Sequence, residues 1–331
     1  MREAVLEGKS KYVVRDAPDP VPGDKEVLIK VRYAGICGSD LHTYYEGANI
    51  RHGHEFSGDI VAVGAGVKGW EVGDRVTAES HSWCGECFWC KRGETGLCEN
   101  LYVIWAQIPG VFATYTKVEY NRLYKLPPEM NYEEAVMVEP TAVALHAVNI
   151  SGMEIGDNIA VLGLGPIGQL IARLAKLSGA GAVYATDLSK SRLELARDVV
   201  EEVIDVSAVD PVARILDLTG GRGADVVFEC AGAIAATQQS LALARKGGTV
   251  VIPGVCLHPV ETMISDIPLR ELTVKGTVFY YSAEFATALK LINEKKIDGA
   301  SLITSVMPLE DIDEAFRKAA NGEGGKILLQ P

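Results

Sequence analysis

Two patterns of apolar and polar positions divide the chain near residue 150. Beyond it, short β-branched runs alternate with amphipathic stretches. NIAVLG (158–163) precedes PIGQLIARLAKLSG (166–179), VYATD (183–187) precedes SKSRLELARDV (189–199), and DVVFEC (225–230) precedes IAATQQSLALA (234–244). TVVIPG (249–254) and LTVKGT (272–277) follow. Strands alternating with helices predict an α/β domain with a parallel sheet covered on both faces. Before residue 150 the pattern has period two: VLIKVRYAGI (27–36) alternates, and FSGDIVAVGAGVKGWEVGDRVTAE (56–79) has short apolar runs broken by Gly and Asp. That predicts an antiparallel, barrel-like domain. A helix-like stretch, EFATALKLINEKKI (284–297), leads into MPLEDIDEAFRKAANG and a last apolar strand, GKILLQ. About thirty residues are too few to bury a core alone, so this tail is expected to pack back on the first domain.

Composition narrows the function. The 331 residues suffice for two cores. No stretch approaches the roughly 18 apolar residues of a membrane span, and MREAVLEGKSKYVV lacks the basic and apolar segments of a secretory signal. A net charge of -12 and a pI near 5.1 disfavour nucleic acid as a partner, because a phosphate backbone is bound by clustered Lys and Arg.

Four of the seven cysteines, Cys84, Cys87, Cys90 and Cys98, fall within SWCGECFWCKRGETGLC. Four thiolates converging on one point make a closed tetrahedral zinc site. Such a run reads as a metal site in a reducing compartment, so a cytoplasmic protein is expected. The alternative is four unrelated free thiols. A closed site leaves no position for a substrate, so it marks zinc without naming a reaction. In VLGLGPIG, Gly163, Gly165 and Gly168 follow a predicted strand and open a predicted helix, with Pro166 and Ile167 between them. Glycines there allow a tight turn and close approach of backbone N–H groups to a pyrophosphate. Asp187 ends the next strand nineteen residues after Gly168, where a carboxylate can bond both ribose hydroxyls and repel a 2′-phosphate. NAD is therefore expected over NADP, although Lys190 and Arg192 lie nearby. Cys37 in GICGSDLH and His54 in GHEFSG are side chains that zinc accepts, and Glu55 and Glu139 can add a carboxylate. Singly, each has a plainer explanation: a small buried thiol, or a charge at a helix start before Pro140. Asp40 has no expected role beyond a local turn bond. Cys230 and Cys256 are expected in the core.

Taken in order, GICGSDLH, GHEFSG, GDRV (73–76), the four-cysteine run, VEPTAVALHA (138–147) and VLGLGPIG resemble the zinc-dependent medium-chain alcohol and polyol dehydrogenases over nearly the full length. The resemblance implies a GroES-like catalytic domain from 1–150 and 298–331, with a structural zinc lobe at 80–100. A Rossmann NAD-binding domain would span 151–297. It implies two zinc ions per chain, one held by the four cysteines and one by Cys37, His54 and one of Glu55 and Glu139, the other glutamate acting through water or by exchange. Glu139 in VEP stands where the simplest alcohol dehydrogenases carry a second cysteine, which favours the polyol, diol and sugar-alcohol branch. In that family the metal acidifies the substrate hydroxyl, hydride passes to the nicotinamide, and Ser39 takes the proton through the cofactor ribose toward His42. Arg192 is implied in cofactor binding and Glu55 in catalysis. Relatives assemble as homotetramers or homodimers. An L-threonine 3-dehydrogenase is the rival enzyme. A cofactor-binding protein without the catalytic zinc is the non-enzymatic rival, and the presence of Cys37 and His54 argues against it. Only TYYEGANIRH separates His42 from Gly53, a shorter loop than many relatives have, with Arg51 and His52 in place of an apolar approach.

Overall fold

The computed structural model describes residues 1–47, 52–103 and 110–331. Arg51, in the short loop before Gly53, lies outside them. The described residues divide into two compact units. The first comprises 1–139, 281–321 and 326–331, and the second 140–280 and 322–325.

In the first unit, β1 (Arg2–Gly8) and β2 (Lys11–Asp16) form an antiparallel hairpin. The main sheet is built on β3 (Glu26–Gly35), whose alternation buries Val27, Ile29 and Val31 on one face. Each such side chain contributes roughly 1.5–3 kcal/mol on burial. Around it lie β4 (Glu55–Val63), β5 (Arg75–Ala78), β8 (Tyr115–Glu119) and β9 (Leu123–Lys125), all antiparallel to their neighbours. The short strands β6 (His81–Ser82) and β7 (Tyr102–Val103) pair with each other at the four-cysteine lobe. The tail returns as expected: β17 (Lys326–Gln330) pairs with β3, Leu328 opposite Gly35, while β16 (Ile303–Pro308) runs parallel to β17.

The second unit is a six-stranded parallel sheet. Its strands are β10 (Asn158–Leu162), β11 (Ala182–Asp187), β12 (Glu202–Asp205), β13 (Ala224–Glu229), β14 (Ala244–Ile252) and β15 (Thr273–Gly276), in the order β12-β11-β10-β13-β14-β15. The order reverses between β10 and β13, the crevice where such sheets bind ligands. The helix Pro166–Leu177 buries Leu170, Ile171, Leu174 and Ala175 and begins with Pro at its first position, where a missing N–H costs nothing.

The division falls at 139/140 and 280/281 rather than at 150 and 297. Helix Val138–Ser151 crosses the first expected boundary, and its Ile150 carbonyl accepts from Lys275 Nζ of β15 at 2.7 Å. Helix Ser282–Asn293 belongs with the first unit: Ser282 Oγ donates to Glu79 at 3.2 Å and Asn293 Nδ2 to Glu129 at 3.2 Å. Cys256 is not a core residue. It lies half-exposed after β14, its thiol 3.6 Å from the His258 carbonyl, because the apolar run ends at Ile252 before a proline-containing turn. Cys230, just beyond β13, is half-buried as a residue, but its thiol is enclosed, and burial pushes it well above the usual thiol value.

Candidate catalytic metal centre and dinucleotide site

Strand register assembles the first cluster. β3 and β4 pair antiparallel with Gly35 opposite Glu55, so Cys37, two residues past β3, faces His54 and Glu55 at the start of β4. One ligand atom from each of Cys37, His54 and Glu55 lies within 4.8 Å of the others. Gly35 is required here, since a Cβ on it would approach Glu55 Oε2 to 2.3 Å. Glu139, in the first turn of helix Val138–Ser151, is buried and hydrogen-bonded with Ser80. It is close enough to His54 and Glu55 to be shifted by their charges, yet it stands outside the three-atom cluster.

Two further residues complete the setting, and neither has a local sequence signal. Asp40 Oδ2 accepts from the Cys37 backbone N–H at 3.0 Å, while Asp40 Oδ1 stands 3.7 Å from His54 Nδ1. Asp40 thus faces the imidazole of a candidate ligand as well as making its turn bond. Lys326, only 1% exposed, donates to Glu55 Oε1 and Oε2 at 2.7 and 2.5 Å and to the Ile36 carbonyl at 3.1 Å. Burial alone would lower its pKa, but the charges of Glu55, Cys37 and Glu139 hold it above the usual lysine value.

The donor set fits a divalent cation. Burial pushes the Glu139 carboxyl up to about 7, the nearby Glu55 charge adding to the shift. Burial likewise raises Asp40. Desolvation disfavours a charged His54, yet Asp40, Cys37 and Glu139 outweigh it and hold the imidazole well above its ordinary pKa. Buried carboxylates and a thiol that draw in positive charge, with His54 Nδ1 lacking a hydrogen-bond partner among the described residues, are the environment a bound zinc stabilises. Ser39 and His42 share the exposed face of helix Gly38–Glu46, three residues apart, whereas Asp40 and Tyr44 face inward.

The four cysteines converge. Their sulfurs are separated by 3.6 Å (Cys98 to Cys84), 3.9 Å (Cys87 to Cys98) and 4.0 Å (Cys84 to Cys90). Four thiolates about 2.3 Å from a tetrahedral zinc lie about 3.8 Å apart, so the cage has the right size. Backbone N–H groups at Glu86 and Cys87 lower the Cys84 thiol to about 6. A cavity of about 460 Å³ beside this lobe is lined by Trp83, Cys84, Tyr102 and Arg122, and by none of the Cys37, His54 and Glu55 set.

The glycines divide their work. Gly163 has φ of 92° and would bring a Cβ to 2.8 Å from the Ala231 nitrogen. A Cβ on Gly168 would lie 1.8 Å from the Gly163 carbonyl oxygen, so the helix packs directly on the turn. Gly165 is different: its missing Cβ would meet nothing nearer than Arg192 Nη1 at 4.0 Å. The protein does not need a glycine there for its own packing, so that open space fits a pyrophosphate at the start of the helix. Asp187 is fixed by backbone donors, Leu164 N–H to Oδ2 and Ser189 N–H to Oδ1, each at 2.7 Å. Each oxygen keeps a further acceptor site for a ribose hydroxyl.

Comparisons with known proteins agree with this geometry. Residues 23–128 match the alcohol dehydrogenase GroES-like domain and residues 166–294 the zinc-binding dehydrogenase family. A sorbitol dehydrogenase of Halalkalibacterium halodurans is 40% identical over 98% of this chain and 97% of its own length. An L-threonine 3-dehydrogenase of Bacillus licheniformis is 37% identical, covering 98% of this chain and all of that protein. Among solved structures, a zinc-binding dehydrogenase of Sinorhizobium meliloti bound to NADP superimposes with a TM-score of 0.92 at 33% identity, over 100% of this chain and 99% of that one. With the cluster of Cys37, His54 and Glu55, the four-cysteine cage and the glycine turn all in place, the chain belongs to the zinc-dependent medium-chain polyol dehydrogenase family.

Proposed function

We propose that this chain is an NAD-dependent, zinc-requiring dehydrogenase that oxidises a secondary alcohol of a polyol, diol, cyclitol or sugar-alcohol derivative to a ketone. The observation that carries the reading is the convergence of Cys37, His54 and Glu55 at the end of β3 and the start of β4. Bound there, zinc supplies Lewis-acid polarisation of the substrate hydroxyl, and bound NAD supplies the hydride acceptor. The remaining work belongs to side chains. Cys37, His54 and Glu55 hold the metal, and Glu139 adds a carboxylate beside them. Asp40 orients the His54 ring, in the way carboxylates commonly support metal-binding histidines. Ser39 and His42 give the hydroxyl proton a path from the site to water along the exposed helix face.

Gly163, Gly165, Pro166, Ile167 and Gly168 cradle the pyrophosphate, Asp187 bonds the adenosine ribose and Arg192 flanks it. The Asp187 charge favours NAD over NADP. The four-cysteine site is structural and closed. A four-cysteine metal cage is chemistry suited to a reducing compartment, which supports a cytoplasmic setting. A homodimer or homotetramer is supported by β15, the outer strand of its sheet, whose Val274 is 39% exposed, near exposed Leu269 and Val278.

An L-threonine 3-dehydrogenase activity is the second reading, favoured by the 37% identical relative of that name. The deciding experiment assays sugar alcohols, diols, cyclitols, their phosphates and L-threonine by NADH appearance, with metal analysis of the same sample. Preferred turnover of polyols with two zinc ions per chain supports the proposal, while preferred turnover of L-threonine selects the second reading. Cys37→Ala is expected to lose turnover while NADH still binds, as followed by nicotinamide fluorescence. Undiminished turnover in that variant would remove Cys37 from the catalytic metal site.

A further inference from the structure

We infer that Gly322–Gly325 is a second barrier to NADP, acting beside Asp187 to exclude a 2′-phosphate. This rests on the NAD reading of the same site. A 2′-phosphate in a sheet of this kind is received by donors just after the strand that carries the ribose-binding acid, with an arginine the usual partner. Here that stretch is Ser189–Arg192, and the strap, which belongs to the second unit, already occupies its donors. Ser189 Oγ donates to the Gly322 carbonyl at 2.7 Å, and Ser191 Oγ reaches the same oxygen at 3.4 Å while accepting from Gly324 N–H at 3.0 Å. Arg192 Nε donates to the Gly324 carbonyl at 3.2 Å. Lys190, the remaining cation, acts electrostatically on the Asp205 carboxylate.

The strap is a fixed turn. Gly322 and Gly324 have φ of 68° and 81°, and a Cβ on Gly322 would stand 3.4 Å from Arg192 Cζ. Between these two anchored glycines is Glu323, exposed and negatively charged. A 2′-phosphate arriving here would compete with backbone carbonyls for Ser189 Oγ, Ser191 Oγ and Arg192 Nε and would meet the Glu323 carboxylate on the same strap. NAD, whose 2′-hydroxyl carries no charge and needs few donors, meets neither obstacle.

The test uses the full chain and two adenosine probes that differ only in the 2′-phosphate, 5′-AMP and 2′,5′-ADP, titrated by calorimetry at low and high salt. Glu323→Gln is expected to shift the affinity ratio toward 2′,5′-ADP on the order of fivefold and Glu323→Arg about 20-fold. Both shifts should shrink at about 0.5 M salt, as an electrostatic effect must and a packing effect would not. If the wild-type chain prefers 5′-AMP but neither variant changes the ratio by more than about twofold, the strap has no such role. If the wild-type chain holds 2′,5′-ADP as tightly as 5′-AMP, the NAD reading fails and this inference fails with it.

Discussion

A lysine ammonium taken out of water needs a counter-charge, and Lys326 has both oxygens of Glu55. Removing one partner of a buried pair leaves the other charge stranded, at a cost of about 3–5 kcal/mol. Lys326→Met is therefore expected to lower the unfolding free energy by about that much. It should also release zinc to a chelator at least about tenfold faster, in line with the loss of a residue supporting a ligand. Adding Glu55→Gln should recover much of the stability but not the metal retention. Denaturant melts and chelator kinetics on the same samples would separate the two effects, and unchanged zinc release in the single variant would leave Lys326 a purely structural residue. At this scale the sequence was legible where chemistry is rare, in Cys37, His54 and the cysteine run. It was silent about Lys326, because a contact with Glu55 across 271 positions leaves no local pattern, and about the approach of Asp40 to His54, which depends on how the turn after β3 packs against the start of β4.

The elements were readable where their period was strong. The helix begun at Pro166 and the strands at Asn158, Ala182 and Ala224 fall within a residue of their expected starts. Short elements with a weak period were not legible, among them β12, whose four residues include two acids, and helix Pro211–Leu218. The glycine turn offers a contrast that sequence alone does not. Gly168→Ala forces a Cβ into a backbone oxygen and is expected to cost about 1–3 kcal/mol or more. Gly165→Ala finds open space in the protein itself, so its melting temperature should stay within about 2 °C of wild type while NADH binding weakens at least about tenfold. Equal loss of stability in both variants would mean that Gly165 serves the fold rather than the cofactor.

The strand β6 carries a second element-scale signal. Burial, with the Arg122 charge nearby, pushes His81 down to about 3, against about 6.5 in an unfolded chain. The unfolded state therefore takes up this proton first. The stability is complete above about pH 6.5 and is lost as pH falls toward 3, amounting to about 2 kcal/mol at pH 5. His81→Gln is expected to flatten that part of the stability profile between pH 7.5 and 5. A slope equal to that of wild type would show that His81 does not carry it.

For the whole molecule, the alternation of strand and helix was enough to expect two architectures, but the sequence could not place the division inside helix Val138–Ser151, since a helix reads the same on both sides of a boundary. Assembly can be tested at β15. Val274→Asp places a charge on an exposed edge strand and is expected to reduce the particle mass in light scattering to that of a smaller assembly; an unchanged mass would exclude this edge from the contact. The reach of Lys326 has one more consequence, for the order in which the protein is made. The residues proposed to hold the catalytic metal all precede position 140, but the cation paired with one of them is added nearly two hundred residues later. During synthesis the pocket therefore exists first as a surplus of acids and acquires its balancing lysine only when β17 closes on β3. A ribosome-bound chain halted before β17 should accordingly hold its zinc loosely, which makes stable metallation an event of the finished polypeptide.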